Sequence, residues 1–169
     1  MATADSALQV RRSRGSRLAL VAVVAAALVA LAAWFVTHPA APGTSGADLH
    51  ASVPTGEAVY LGVYTPDAGS GRTLHLSRVD VRHTGDATVE TLVCRSCALG
   101  VTTAPATFCR GLVPARGTAL APGDQLVLRV ASSSEGPVRV SRPRLTYRDG
   151  VQWGSHDAGH RAAVTFLAR

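Results

Sequence analysis

The stretch Leu18–Val36, LALVAVVAAALVALAAWFV, constrains this chain more than any other: nineteen consecutive residues carry no charged or strongly polar side chain. Wound as a helix at about 1.5 Å per residue, it covers about 29 Å, close to the roughly 30 Å hydrocarbon core of a bilayer. A transmembrane helix is the expectation. Arg11, Arg12, Arg14 and Arg17 precede it, and no arginine comes after it until Arg72. The positive-inside bias then leaves residues 1–17 as a short basic tail in the cytoplasm and places everything after Val36 outside. A basic segment before an apolar run also begins a signal peptide, and Ala30-Leu31-Ala32 offers the small residues that cleavage needs, which would give a secreted chain. Trp34, Phe35 and Val36 carry the run past the roughly 7–15 apolar residues of a signal peptide, and so favour a retained single-pass anchor in the cytoplasmic membrane.

The sequence beyond the helix is enough for one ordinary domain. Residues 37–55 are rich in Pro, Gly, Ala, Ser and Thr and read as a stalk; residues 56–169 read as the exported domain. His38 and His50 fall in the stalk as isolated side chains. The chain has no Lys, Ile or Asn, a bias typical of a GC-rich genome, and the absence of Asn excludes N-linked glycosylation. The high pI is therefore a poor sign of nucleic-acid binding, and no nucleic-acid partner is expected. From Thr37 onward 13 Arg stand against 7 Asp and 3 Glu without a dense basic run. That balance reads as a solvated mixed-charge surface rather than one built for phosphate or an anionic polymer.

Period-two patterning begins at Ala58. Val59, Leu61 and Val63 alternate with Tyr60, Gly62 and Tyr64, and a turn comes next over Thr65–Gly71. Leu74 and Leu76 share a face with Val79 and Val81 only if one residue is inserted near Ser77-Arg78, which predicts a β-bulge. His75 and His83 lie in or beside this strand. Further strands are predicted at Thr88–Cys94, at Leu126–Val130 with Val127 and Arg129 facing outward, at Val138–Val140, and at Ala162–Ala168. Pro143 marks an edge or a bend. Asp149-Gly150, set between Leu145/Tyr147 and Val151/Trp153, predicts a hairpin. Seven or eight short strands with frequent turns make an all-β fold, an antiparallel sandwich that is immunoglobulin-like in the broad sense.

The layout of basic tail, single span, Pro/Gly-rich stalk and a domain with Val63–Asp67 (VYTPD), Leu120–Asp124 (LAPGD) and Thr146–Gly150 (TYRDG) resembles small membrane-anchored proteins of GC-rich bacteria with an exported β domain. The resemblance lies in turns and strands, so it implies an architecture and no catalytic residues.

Three cysteines, Cys94, Cys97 and Cys109, sit within sixteen residues. In an oxidising space one disulfide is expected, Cys94–Cys109 ahead of Cys97–Cys109, and the remaining thiol could link two copies of the chain. The Cys94-x-x-Cys97 spacing suggests thiol redox chemistry, but the adjoining Ala98–Thr103 is a poor helix former and gives no dipole to lower a thiolate pKa. A zinc-type site with His83, His156 or His160 lacks a second tight ligand pair. Ser155, His156, Asp157 and His160 form a short polar cluster expected in a loop, without a nucleophile elbow. No cofactor and no catalytic residue is implied. The expectation is a binding module meeting another envelope protein or ligand through Cys94–Val113 or Gly154–His160, with a metal or thiol-redox protein as the alternative.

Overall fold

The computed structural model describes residues 14–96 and 98–169, the side chains of residues 14–16 excepted. Helix α1 runs Arg14–Thr37, beginning four residues before the apolar run because Arg14–Arg17 wind into its first turn. The rest of the expected tail lies outside the described residues. Apolar side chains point out on every side of α1, Leu18 and Val29 being 72% and 70% exposed. Its 21 residues Arg17–Thr37 are long and apolar enough to cross a membrane.

The head, Val36–Arg169, is a second unit. Its strands, in chain order, are β1 Thr44–Pro54, β2 Ala58–Tyr64, β3 Leu74–Asp80, β4 His83–Thr84, β5 Thr88–Cys94, β6 Val101–Thr102 and β7 Leu112–Pro114. They continue as β8 Ala119–Leu120, β9 Gln125–Ala131, β10 Gly136–Val140, β11 Arg144–Asp149, β12 Gln152–Asp157 and β13 Gly159–Leu167. Three sheets result, in the orders β1-β13-β10-β4, β12-β11-β3-β8 and β6-β2-β9-β5-β7. All pairings are antiparallel except β1 with β13. The expected β-sandwich behind one apolar helix is what forms.

Alternation explains the core. Val53, Val138, Val164 and Phe166 come from the first sheet, Leu76, Leu145 and Tyr147 from the second, Val59, Leu61, Leu126 and Leu128 from the third, all in one cluster. Burying such a side chain contributes about 1.5–3 kcal/mol, against about 0–1 kcal/mol for a surface ion pair. The inward-facing residues therefore hold the sandwich together, and the surface charges do not.

The bulge expected in β3 is present: Arg78 pairs with Thr146 and Leu76 with Tyr147, so Ser77 is the extra residue. Pro143 lies where the chain leaves the β10 sheet for the β11 sheet. Close packing fixes Gly159 at φ 67°, because a Cβ there would overlap the Val63 carbonyl.

Four expectations need correction. Residues 37–55 are not a free stalk: Thr44–Pro54 is β1, its Leu49, Ala51 and Val53 alternating inward, and the strand pairs with β13 from Leu49↔Ala162 to Pro54↔Leu167. Val127 is not an outward residue but fully buried, because the segment after Cys94 folds over the outer face of its sheet. In the hairpin Asp149 stays paired with Gln152, so the loop is Gly150-Val151 and only Gly150 takes positive φ. His156 and Asp157 end β12 while His160 opens β13, so the polar cluster lies on strands rather than in a loop.

Candidate functional site

Cys94 closes β5, and Cys109 comes just after a short 3-10 turn at Pro105–Thr107. The two are joined by a disulfide, with Cα atoms 5.4 Å apart and a sequence separation of 15. Together with Leu99 and Val127 they make a small second core on the outer face of the sheet. With Cys109 bonded to Cys94, the alternative Cys97–Cys109 pairing does not form; Cys97 itself, and a dimer through a third thiol, lie outside the described residues.

The same loop is tied down by polar contacts. Arg95 donates to the Asp124 carboxylate at 2.5 Å and to the Ala119 carbonyl at 2.8 Å. Asp124 also accepts from the backbone N–H groups of Ser96, at 3.1 Å, and Ala121, at 3.2 Å. Burial alone would raise the Asp124 pKa, but these hydrogen bonds and the Arg95 charge outweigh it and hold the carboxyl below its ordinary value. Ser96, at φ 53°, is the non-glycine residue with positive φ among the described residues, and its bond to Asp124 secures that conformation. Leu99 N–H donates to Gln125 Oε1 at 2.6 Å, and Gly62 N–H to the Gly100 carbonyl at 2.8 Å. This is a structural staple: every polar group named points into the framework.

His156, Asp157 and His160 diverge. His156 Nδ1 lies 3.2 Å from the Tyr147 hydroxyl, whose own proton goes to the Ala40 carbonyl at 3.0 Å, so His156 sits over the buried core. Burial pushes the Tyr147 hydroxyl pKa up. Asp157 faces Arg144 at 3.7 Å, and His160 Nδ1 donates to the Ala47 carbonyl at 3.0 Å. Ser155 Oγ is held by Arg144 and Thr146. Neighbours on a strand point to opposite faces, so Ser155 and His156 do not form a nucleophile–base pair. Among the described residues no group of three or more His, Cys, Asp or Glu side chains is placed to hold a metal ion.

The divergence puts His160 and Asp157 in two different clefts. The first, of about 520 Å³, lies between Ala41–Ser45, the end of β2 and the start of β13, and is lined among others by Tyr64, Asp67, Arg72 and His160. Arg72 is occupied there, donating to Asp149 at 2.6 Å and to Ala40 at 3.1 Å. Burial raises the Tyr64 hydroxyl pKa. The second cleft, of about 690 Å³, is lined by five arginines, Arg78, Arg82, Arg142, Arg144 and Arg161, against Asp80 and Asp157.

Of the residues singled out in the sequence, Asp157 lines this second cleft and His160 the first; the arginines, which come from four separate segments, were missed. One signal was available: Arg139-Val-Ser-Arg142-Pro-Arg144 puts three arginines in six residues, a denser basic run than the overall charge balance suggested. The class that fold and site define is a disulfide-stapled β-sandwich head with an arginine-lined cleft, following an apolar helix in the chain. No family model matches the chain, and no curated protein matches it.

Proposed function

We propose that this chain is a single-pass protein of the cytoplasmic membrane, its N-terminus inside, presenting the sandwich outside as a non-catalytic module that binds a ligand or another envelope protein. The observation that carries the reading is that one chain combines an apolar, exposed helix of spanning length with a Cys94–Cys109 disulfide, a bond that persists in oxidising compartments. The arginines ahead of the helix support the orientation. The divergence of Ser155, His156, Asp157 and His160 supports binding over catalysis, since general-base chemistry needs its groups within hydrogen-bond reach of one another. The metal or thiol-redox alternative would use Cys94, Cys97 and Cys109, and two of these, Cys94 and Cys109, have their sulfurs engaged with each other.

Protease added to intact spheroplasts tests the reading. A C-terminal tag is digested and an N-terminal tag protected, and without protease the full chain, carrying both tags, remains with membranes after alkaline extraction. A protected C-terminal tag overturns it, as does a mature chain beginning near Ala33.

A further inference from the structure

We propose that the arginine cleft is a binding site for a phosphate-class oxyanion. This deepens the binding-module reading and rests on it for the site's role. The cleft is made where β3 ends, where the links before β4 and β11 cross, and where β13 begins, so the backbone brings together guanidinium groups that are far apart in sequence. Such crowding is repulsive unless each charge is answered. Arg78 is answered by Asp80 at 2.7 Å, Arg144 loosely by Asp157 at 3.7 Å, and Arg161 loosely by Asp48 at 3.8 Å.

Two are not answered. Arg142 is half-buried and holds no carboxylate among the described residues; it donates to the Ser45 carbonyl at 2.6 Å and the Gly159 carbonyl at 3.3 Å. Those neutral acceptors fix its direction but leave its charge, and a guanidinium has five N–H donors of which they take two. Arg82 is exposed and has no carboxylate within ion-pair distance among the described residues; its backbone N–H is held by Ser141 Oγ at 3.1 Å. A pre-oriented guanidinium beside a second free one, in a cleft with a local excess of positive charge, is the arrangement that forks onto a tetrahedral oxyanion. A dianion can accept from several guanidinium groups at once, where a single carboxylate satisfies one fork. The cleft volume, within the roughly 300–1,000 Å³ of ligand sites, admits more than one phosphate.

The same chemistry is offered by a soluble phosphate and by an anionic lipid headgroup, and the test separates them. Full-length protein in phosphatidylcholine nanodiscs is titrated with inorganic pyrophosphate by calorimetry at low and moderate salt. In parallel, protein from nanodiscs containing phosphatidylglycerol is examined by native mass spectrometry for retained lipid. The exposed pair Arg82→Gln/Arg161→Gln leaves the fold intact and is expected to weaken binding on the order of tenfold or more, while Arg116→Gln, exposed and outside the cleft, leaves it unchanged. Pyrophosphate binding assigns a soluble ligand, and retained phosphatidylglycerol alone assigns a headgroup. Binding to neither, or binding that the cleft pair leaves untouched, overturns the site. None of these results moves the protease-accessibility outcome, so the site and the topology fail separately.

Discussion

The Tyr147 hydroxyl donates to the carbonyl oxygen of Ala40 at 3.0 Å, joining residues 107 apart in sequence and seating the segment that enters the head against its core. Arg72 donates to the same carbonyl at 3.1 Å, and Pro39 and Pro42 are buried alongside. The entry segment is thus part of the folded head and not a loose spacer. Tyr147→Phe keeps the ring and removes one donor, at an expected cost of about 1 kcal/mol. Combined with Arg72→Ala it leaves the Ala40 carbonyl without either. The double variant is expected to be cut several-fold faster between Thr37 and Thr44 by a broad-specificity protease. Asp149→Ala, which breaks the Arg72 ion pair without touching Ala40, serves as the control. Equal cleavage of all three would mean that Pro39 and Pro42 alone seat the segment.

The Cys94–Cys109 disulfide closes a loop that would otherwise have only polar ties and one small apolar cluster to hold it. In the chain-entropy model a loop of about fifteen residues is stabilised by about 3 kcal/mol. Cys94→Ala/Cys109→Ala is expected to lower the thermal midpoint by several degrees and to expose the loop to hydrogen exchange before the rest of the sheet. An unchanged midpoint would show that Asp124 and Gln125 suffice.

Asp124 makes the stability of that loop depend on pH. Its carboxyl pKa is lowered below the ordinary 3.8. A depressed folded pKa means the contribution is fully present above the unfolded value and is lost as pH falls through the folded one. Asp124→Asn is therefore expected to cost about 2 kcal/mol at neutral pH, the scale of hydrogen bonds to a charged group. The gap to the wild type should narrow below pH 3.8. Urea unfolding at pH 7 and pH 3 reads this directly, and a gap of constant size would place the stabilising role elsewhere.

Legibility in the sequence divides along physical lines. The strands with large alternating side chains, such as Val59/Leu61/Val63 and Leu126/Leu128/Val130, were legible because their period is carried by the residues whose burial drives folding. β1 was not, because its inward face is only Leu49, Ala51 and Val53 set among Pro, Gly, Ser and Ala, a composition that also describes a linker. Val127 was misplaced since burial on the outer face depends on a loop closing over it, which local periodicity does not register. The arginine cleft was legible only in the short run holding Arg142 and Arg144, for a similar reason: its charges converge only after β3, β11 and β13 have taken their places. The cysteines were legible as a staple, because Cys94 and Cys109 stand at the two ends of one short irregular stretch that a disulfide between them closes.

The bulge at Ser77 supports an unusual expectation about a deletion. Removing a residue from a strand normally turns all side chains beyond it to the opposite face. In β3 the extra residue already interrupts alternation: Leu76 pairs with Tyr147 and Arg78 with Thr146, leaving Ser77 unpaired in the register, its hydroxyl donating to the Thr146 carbonyl at 3.0 Å. Deleting Ser77 would make the strand regular while keeping Leu74, Leu76 and Val79 on the inward face. The expected loss is about 1 kcal/mol for the hydrogen bond, together with some local twist. Deleting Arg129 from β9, whose register with β5 is unbroken, should instead turn Val130 away from the core that Leu126 and Leu128 occupy and abolish folding. Thermal midpoints and soluble yield of the two deletions, measured side by side, decide the matter: a Ser77 deletion as damaging as that of Arg129 would mean the bulge sets the strand direction and not only its register.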